Sequence, residues 1–360
     1  MKRALWIMAS LASIAALAMA GVCISGCANL GYYWQSVGGH LQVINRAKPV
    51  QDWLDDDKTP EATKKKLSLS QRIREFASKE LALPNNASYR RYADLQRRAV
   101  VWNVVAAPQD SLKLKTWCFP VAGCVGYRGY YAESDANALA ATLKAEGLEV
   151  SVYGVPAYST LGYLNWAGGD PLLSTFIHYP EGELARLVFH ELAHQVLYVK
   201  DDTMFNESFA TAVERLGGRM WLQQHGSPAA QAEYAAFDAR RQAFRALTLA
   251  TRFKLEKVYA NVSVQGSKLA MKNEVMDAFK QDYLALKTSW NGFAGYDPWV
   301  ARANNASFGA QAAYDELVPQ FEAVFERQGR DFAQFYQAIQ TITPLPRAQR
   351  RAALATLTQP

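Results

Sequence analysis

The chain has 360 residues, 50% apolar and 20% charged, which excludes a disordered protein and leaves room for one large or two modest cored domains. Its formal charge of +6 is a small excess at this length, and basic runs such as Lys64-Lys65-Lys66, Arg90-Arg91 and Arg350-Arg351 are scattered without a nucleic-acid motif. They read as solvated helix faces, so nucleic acid is not an expected partner.

At the N-terminus, Lys2 and Arg3 precede an apolar run and then small residues, the layout of a secretory signal. The run is nearly long enough to span a bilayer, so an uncleaved anchor is the alternative. Ile24-Ser25-Gly26-Cys27 resembles the lipobox of bacterial lipoproteins. That resemblance implies a signal peptide over residues 1–26, a diacylglycerol on the Cys27 sulfur, and a periplasm-facing protein of the bacterial envelope. Ala28, where Asp would retain the chain, favours the outer membrane under enteric-type sorting. Loss of Lys2 and Arg3 with the signal leaves 37 basic against 33 acidic residues, or +4.

Further along, Tyr32, Tyr33 and Trp34 could rest at the lipid surface or pack on the body; the apolar repeat after them favours a short docked helix. Residues 63–83 have helical apolar spacing and stop at Pro84. The β-branched run 99–107 before Pro108 predicts a strand. Cys118 and Cys124 sit in strands around a Pro/Gly turn. Cys23 lies in the signal and Cys27 takes the lipid, so in an oxidising compartment these remaining two read as a disulfide. Residues 133–147 predict a helix ending at Gly147, and 148–155 a strand, together one crossover unit in a small mixed sheet. A turn-rich segment, 156–175, leads into two helices, Glu181–Lys200 and about Met204–His225. The rest is helical, with long segments to about Tyr259 and from about Lys268 to Trp290. The fold class is therefore α+β, with residues 27–225 as core and 226–360 as a helical region of the same unit, since no linker separates them.

The chemistry concentrates in FHELAHQ (residues 189–195) and FNESFAT (205–211). His190 and His194, four apart on a helix, stand on one face roughly 5–6 Å apart at Cβ and can share one Zn²⁺. Glu191 lies about 100° around the helix, where a carboxylate can reach an attacking water without ligating. A helical hairpin turning at Asp201-Asp202-Thr203 returns Glu207 to the level of His194 as third ligand. Glu214, two turns on, is the rival ligand or a partner that orients a ligand histidine. A buried His pair without metal is the bland alternative, and it is costly. His40, His178 and His225 stand singly and carry little signal.

With TWCFPVAGCVGYRGYY, VPAYSTLGYL, GYYWQSVGGHL and YDPWVARANNASF, these motifs resemble the putative aminopeptidases of bacterial envelopes, a zincin-type metallopeptidase family. The resemblance spans nearly the whole chain after the lipobox. It implies a zincin-like core, one zinc ion on His190, His194 and Glu207, Glu191 as catalytic residue, and peptide substrates. Tyr158 and Tyr198 are candidate donors to the reaction's oxyanion. The segment GVPAYSTLGYL is a candidate edge strand to pair with an extended peptide. Glu214, Asp201 and Asp202 are candidate partners for a substrate ammonium. An endopeptidase, a hydrolase of cell-wall amides, and a lipid-anchored scaffold with a structural metal remain as alternatives.

Overall fold

Residues 31–119, 123–260 and 265–359 are described by a computed structural model. The signal segment 1–26 and Cys27 lie outside the described residues. Two units divide between Arg46 and Ala47. In the first, residues 31–46 form helix α1. Trp34 is 82% exposed, and Tyr33, Val37 and Leu41 are exposed beside it. Helical spacing turns these four to one face, while Val43, half a turn from Trp34, is buried.

In the second unit, β1 (Lys48–Pro49) pairs antiparallel with β2 (Arg91–Ala93), and β2 runs parallel to β8 (Leu172–Leu173). Helices α2 (Val50–Asp55) and α3 (Glu61–Lys79) follow β1. Helix α3 buries Leu67, Ile73 and Phe76 at helical spacing, and ends short of Pro84, where Leu83 N–H bonds back to Ala77 O and Ala82 takes φ 49°. The second sheet has β3 (Val101–Ala107) between β6 (Arg128–Tyr130) and β7 (Glu149–Val155), both antiparallel to it. Strands β6 and β7 therefore run the same way, and α4 (Glu133–Ala145) is the expected crossover between them. Gly147, just beyond α4, sits at φ +83°, a conformation glycine adopts freely. Strands β4 (Trp117–Phe119) and β5 (Gly123–Val125) form a separate hairpin whose register sets Cys118 opposite Cys124, and the two are disulfide-bonded. The expected mixed sheet is thus three small sheets, one mixed, one antiparallel and one hairpin.

Helices α5 (Glu181–Val196) and α6 (Thr203–His225) form the hairpin that carries the candidate site. Two long helices, α7 (Pro228–Ala260) and α8 (Gln265–Ser289), pack around Phe244, Leu255, Met276 and Phe279. Five shorter helices complete the chain: α9 (Asp297–Val300), α10 (Asn305–Asp315), α11 (Val318–Arg327), α12 (Phe332–Ile342) and α13 (Arg347–Leu357). Phe205 and Phe209 of α6 meet Phe321 of α11 with ring centroids 5.1 and 5.7 Å apart, and Phe209 stacks on Phe335 of α12 at 5.7 Å. The molecule is α+β, and its C-terminal helices are the far wall of the hairpin. Among the described residues, no helix is long and apolar enough to cross a membrane.

Candidate metal centre

Helix α5 buries Leu184, Val188, Phe189, Leu192 and Ala193, which fixes its rotation and turns His190 and His194 to a common side. The helix ends at Val196, four residues before the expected Lys200. The reason is a long-range clasp that helical periodicity does not encode. Asn206 Nδ2 donates to Val199 O and Asn206 Oδ1 accepts from Val199 N–H, both at 2.8 Å. Asp202 caps α6 by accepting from Phe205 N–H at 3.3 Å. The turn is held from outside as well. Arg350 of α13 donates from Nε and Nη2 to Asp202 Oδ2 at 3.2 and 2.8 Å, and Arg351 Nη2 to Asp202 Oδ1 at 2.6 Å. Cys124 N–H donates to Asp201 Oδ1 at 2.5 Å, which seats the disulfide hairpin on the same turn. A Cβ at Gly123, which has φ +73°, would fall against that Asp201 carboxylate, so the approach requires glycine.

This scaffold brings three ligand atoms together. His190 Nε2 lies 3.2 Å from His194 Nε2 and 3.3 Å from Glu207 Oε2, and His194 Nε2 lies 3.7 Å from Glu207 Oε2. Tetrahedral coordination with bonds of 2.0–2.1 Å separates ligand atoms by about 3.3–3.4 Å. Two imidazoles and a carboxylate with these edges fit one zinc ion, and the three residues form a possible metal-binding group. Glu214 lies outside that triangle. Its Oε2 is 3.1 Å from His190 Nδ1 and its Oε1 accepts from Arg186 Nη2. A proton on His190 Nδ1 leaves the Nε2 lone pair facing the metal position, the arrangement of a carboxylate that orients a ligand histidine.

The electrostatics follow from burial. Glu214 is pushed up by burial, but Arg186 and then His190 outweigh this and hold its carboxyl down to about 2. Glu191, only 8% exposed, is pushed up to about 8, first by burial and then by Glu207, Asp170 and Glu214, against the pull of His190. A cleft of about 340 Å³ opens beside His190 and Glu191, walled by Glu183, Leu187 and the chain Val155–Pro156–Ala157 that leaves β7. Only the first two residues of the proposed edge segment, Gly154 and Val155, belong to a strand; Pro156 ends the pairing and the rest is loop.

Other candidates fall elsewhere. The Tyr158 ring packs edge-on against Tyr131 at 6.0 Å, with Asp170 and Arg97 in its surroundings. Tyr198 shares the electrostatic surroundings of Glu207, and burial, followed by Glu207, Asp201 and Tyr163, pushes its phenol up to about 12. Asp201, Asp202 and Glu214, each nominated for a substrate ammonium, are engaged by Cys124, by three arginines and by His190 with Arg186. His178 is exposed, and His225 packs on Trp221 and Phe76. Arg186 escaped sequence reading, although it lies four residues before His190 on the same helix face. Asn206 was legible as the neighbour of Glu207 but not as the clasp on Val199, which becomes a neighbour only after the turn forms.

A family model described as "Putative aminopeptidase" matches residues 31–354. No curated protein and no solved structure matches the chain.

Proposed function

The chain belongs to the Putative aminopeptidase family, and from that premise we propose a zinc-dependent peptidase that removes residues from peptide N termini. The observation that carries the zinc is the convergence of His190 Nε2, His194 Nε2 and Glu207 Oε2, with Glu191 buried beside them. Held by His190, His194 and Glu207, a zinc ion would supply Lewis acidity and lower the pKa of the attacking water. Glu191 takes a proton from the attacking water and passes it to the leaving amine, as its raised affinity for a proton suits. Glu214 and Arg186 hold the His190 ring in one tautomer through the cycle. Tyr158 and Tyr198 are both carried as candidate donors to the oxyanion. The extended chain at Val155–Ala157 borders the cleft and offers backbone groups to a peptide.

The anchoring reading stands beside this. We propose that Cys27 carries a diacylglycerol, that the body faces the periplasm, and that the outer membrane holds it; Lys2, Arg3 and Ile24-Ser25-Gly26-Cys27-Ala28 support this.

The test is a mixed peptide pool, half with free and half with acetylated N termini, incubated with the zinc-loaded protein and read by mass spectrometry. Single-residue losses confined to free N termini are expected. Internal cuts in both halves would make it an endopeptidase, and an untouched pool would point to a different amide substrate.

A further inference from the structure

Helix α1 presents an apolar stripe that the catalytic reading does not use. At about 100° per residue, Tyr33, Val37, Leu41 and Trp34 fall within a sector about 100° wide. Their exposures are 40%, 58%, 52% and 82%, whereas Val43, half a turn from Trp34, is fully buried. The four exposed side chains share one face of the helix. No Asp, Glu, Lys or Arg occurs between Gly31 and Asn45. Tyr and Trp are the side chains that suit a boundary apolar on one side and wet on the other.

The position in the chain identifies the occupant. Cys27 is four residues before Gly31, so the start of the helix is tethered within about 14 Å of whatever holds that sulfur. An uncleaved apolar segment would tether it as closely. The helix, about 24 Å long, therefore lies within reach of a bilayer on either reading. Four side chains on one helix are a small patch beside the roughly 1,200 Å² total of a stable protein interface.

We propose that α1 lies along the headgroup–acyl boundary of a bilayer, with Tyr33, Trp34, Val37 and Leu41 immersed. This rests on the anchoring reading of residues 1–27 and is independent of the peptidase reading. The lipid would hold the chain at the bilayer, and the stripe would set how the helix lies on it.

The test uses the full chain in vesicles of phosphatidylethanolamine and phosphatidylglycerol with brominated acyl chains. A fluorophore is placed on Val37→Cys, or on Gln42→Cys of the polar side as control, in a Cys23→Ser background. Flotation of the vesicles reports anchoring, and quenching reports depth. The expected result is co-flotation of both, with quenching several-fold stronger at residue 37 than at residue 42. Adding Trp34→Glu and Leu41→Glu should abolish that difference while flotation persists. Co-flotation with equal, weak quenching would overturn the helix proposal alone. Failure to float would overturn the anchoring reading and this proposal with it. Excimer formation between pyrene labels at residue 37, without vesicles, would assign the stripe to a second copy instead.

Discussion

His190 and His194 differ in what holds them, and that difference separates the roles of two glutamates. Glu207 meets both Nε2 atoms, whereas Glu214 meets only His190 Nδ1 and is tied to Arg186. Glu207→Ala should abolish zinc binding. Glu214→Gln should retain zinc but weaken it by about 10–100-fold, measured by competition with a chelator. Zinc lost from the Glu214 variant and kept in the Glu207 variant would reverse the ligand assignment. Asp170 supplies a second residue-level test. It is 2% exposed, and its carboxylate accepts from Thr160 N–H at 3.1–3.2 Å. Burial raises its pKa despite the bonds from Thr160, Ser159 and Gln195. A raised folded-state value means that its contribution is fully present below the unfolded value and is lost as pH rises through the folded one. The Tm of Asp170→Asn relative to the natural chain should therefore improve from the acid side of the carboxylate range towards neutrality. A difference that does not change with pH would show that Asp170 does not titrate differently on folding.

At the scale of elements, the α5–α6 turn is clamped by parts of the chain far away in sequence. Arg350 and Asp202 are 5% and 1% exposed at their side chains, so Arg350→Ala leaves a buried carboxylate short of a partner. The loss should be about 3 kcal/mol in urea unfolding, with weaker zinc binding because α6 carries Glu207. Unchanged stability would mean that Arg351 alone suffices. The elements themselves were largely legible. Strands β3 and β7 and helices α4 and α5 follow from β-branched runs, helical spacing and Gly147. The HExxH face was legible because i, i+4 spacing fixes it without tertiary knowledge. The end of α5 at Val196 was not, since it depends on Asn206 reaching back to Val199. The division into three sheets was not either, since strands of two or three residues carry too little pattern to show their partners.

In the second unit, the hairpin that carries the candidate ligands packs on aromatic helices, with Phe205 and Phe209 against Phe321 and Phe335. His194 is 8% exposed, and its ring meets Glu207 only when α5 and α6 are packed. Zinc that binds only the folded state stabilises it by mass action, about 4 kcal/mol at a thousand-fold excess over Kd. Chelation should lower the Tm, and restored zinc should recover it; a Tm indifferent to chelation would place the metal elsewhere. The most direct test of the whole account is Glu191→Gln, with zinc content and peptide hydrolysis measured on the same preparation. Full zinc occupancy with turnover down by about 10²–10⁴-fold is the predicted result. Retained turnover at full zinc occupancy would contradict the account.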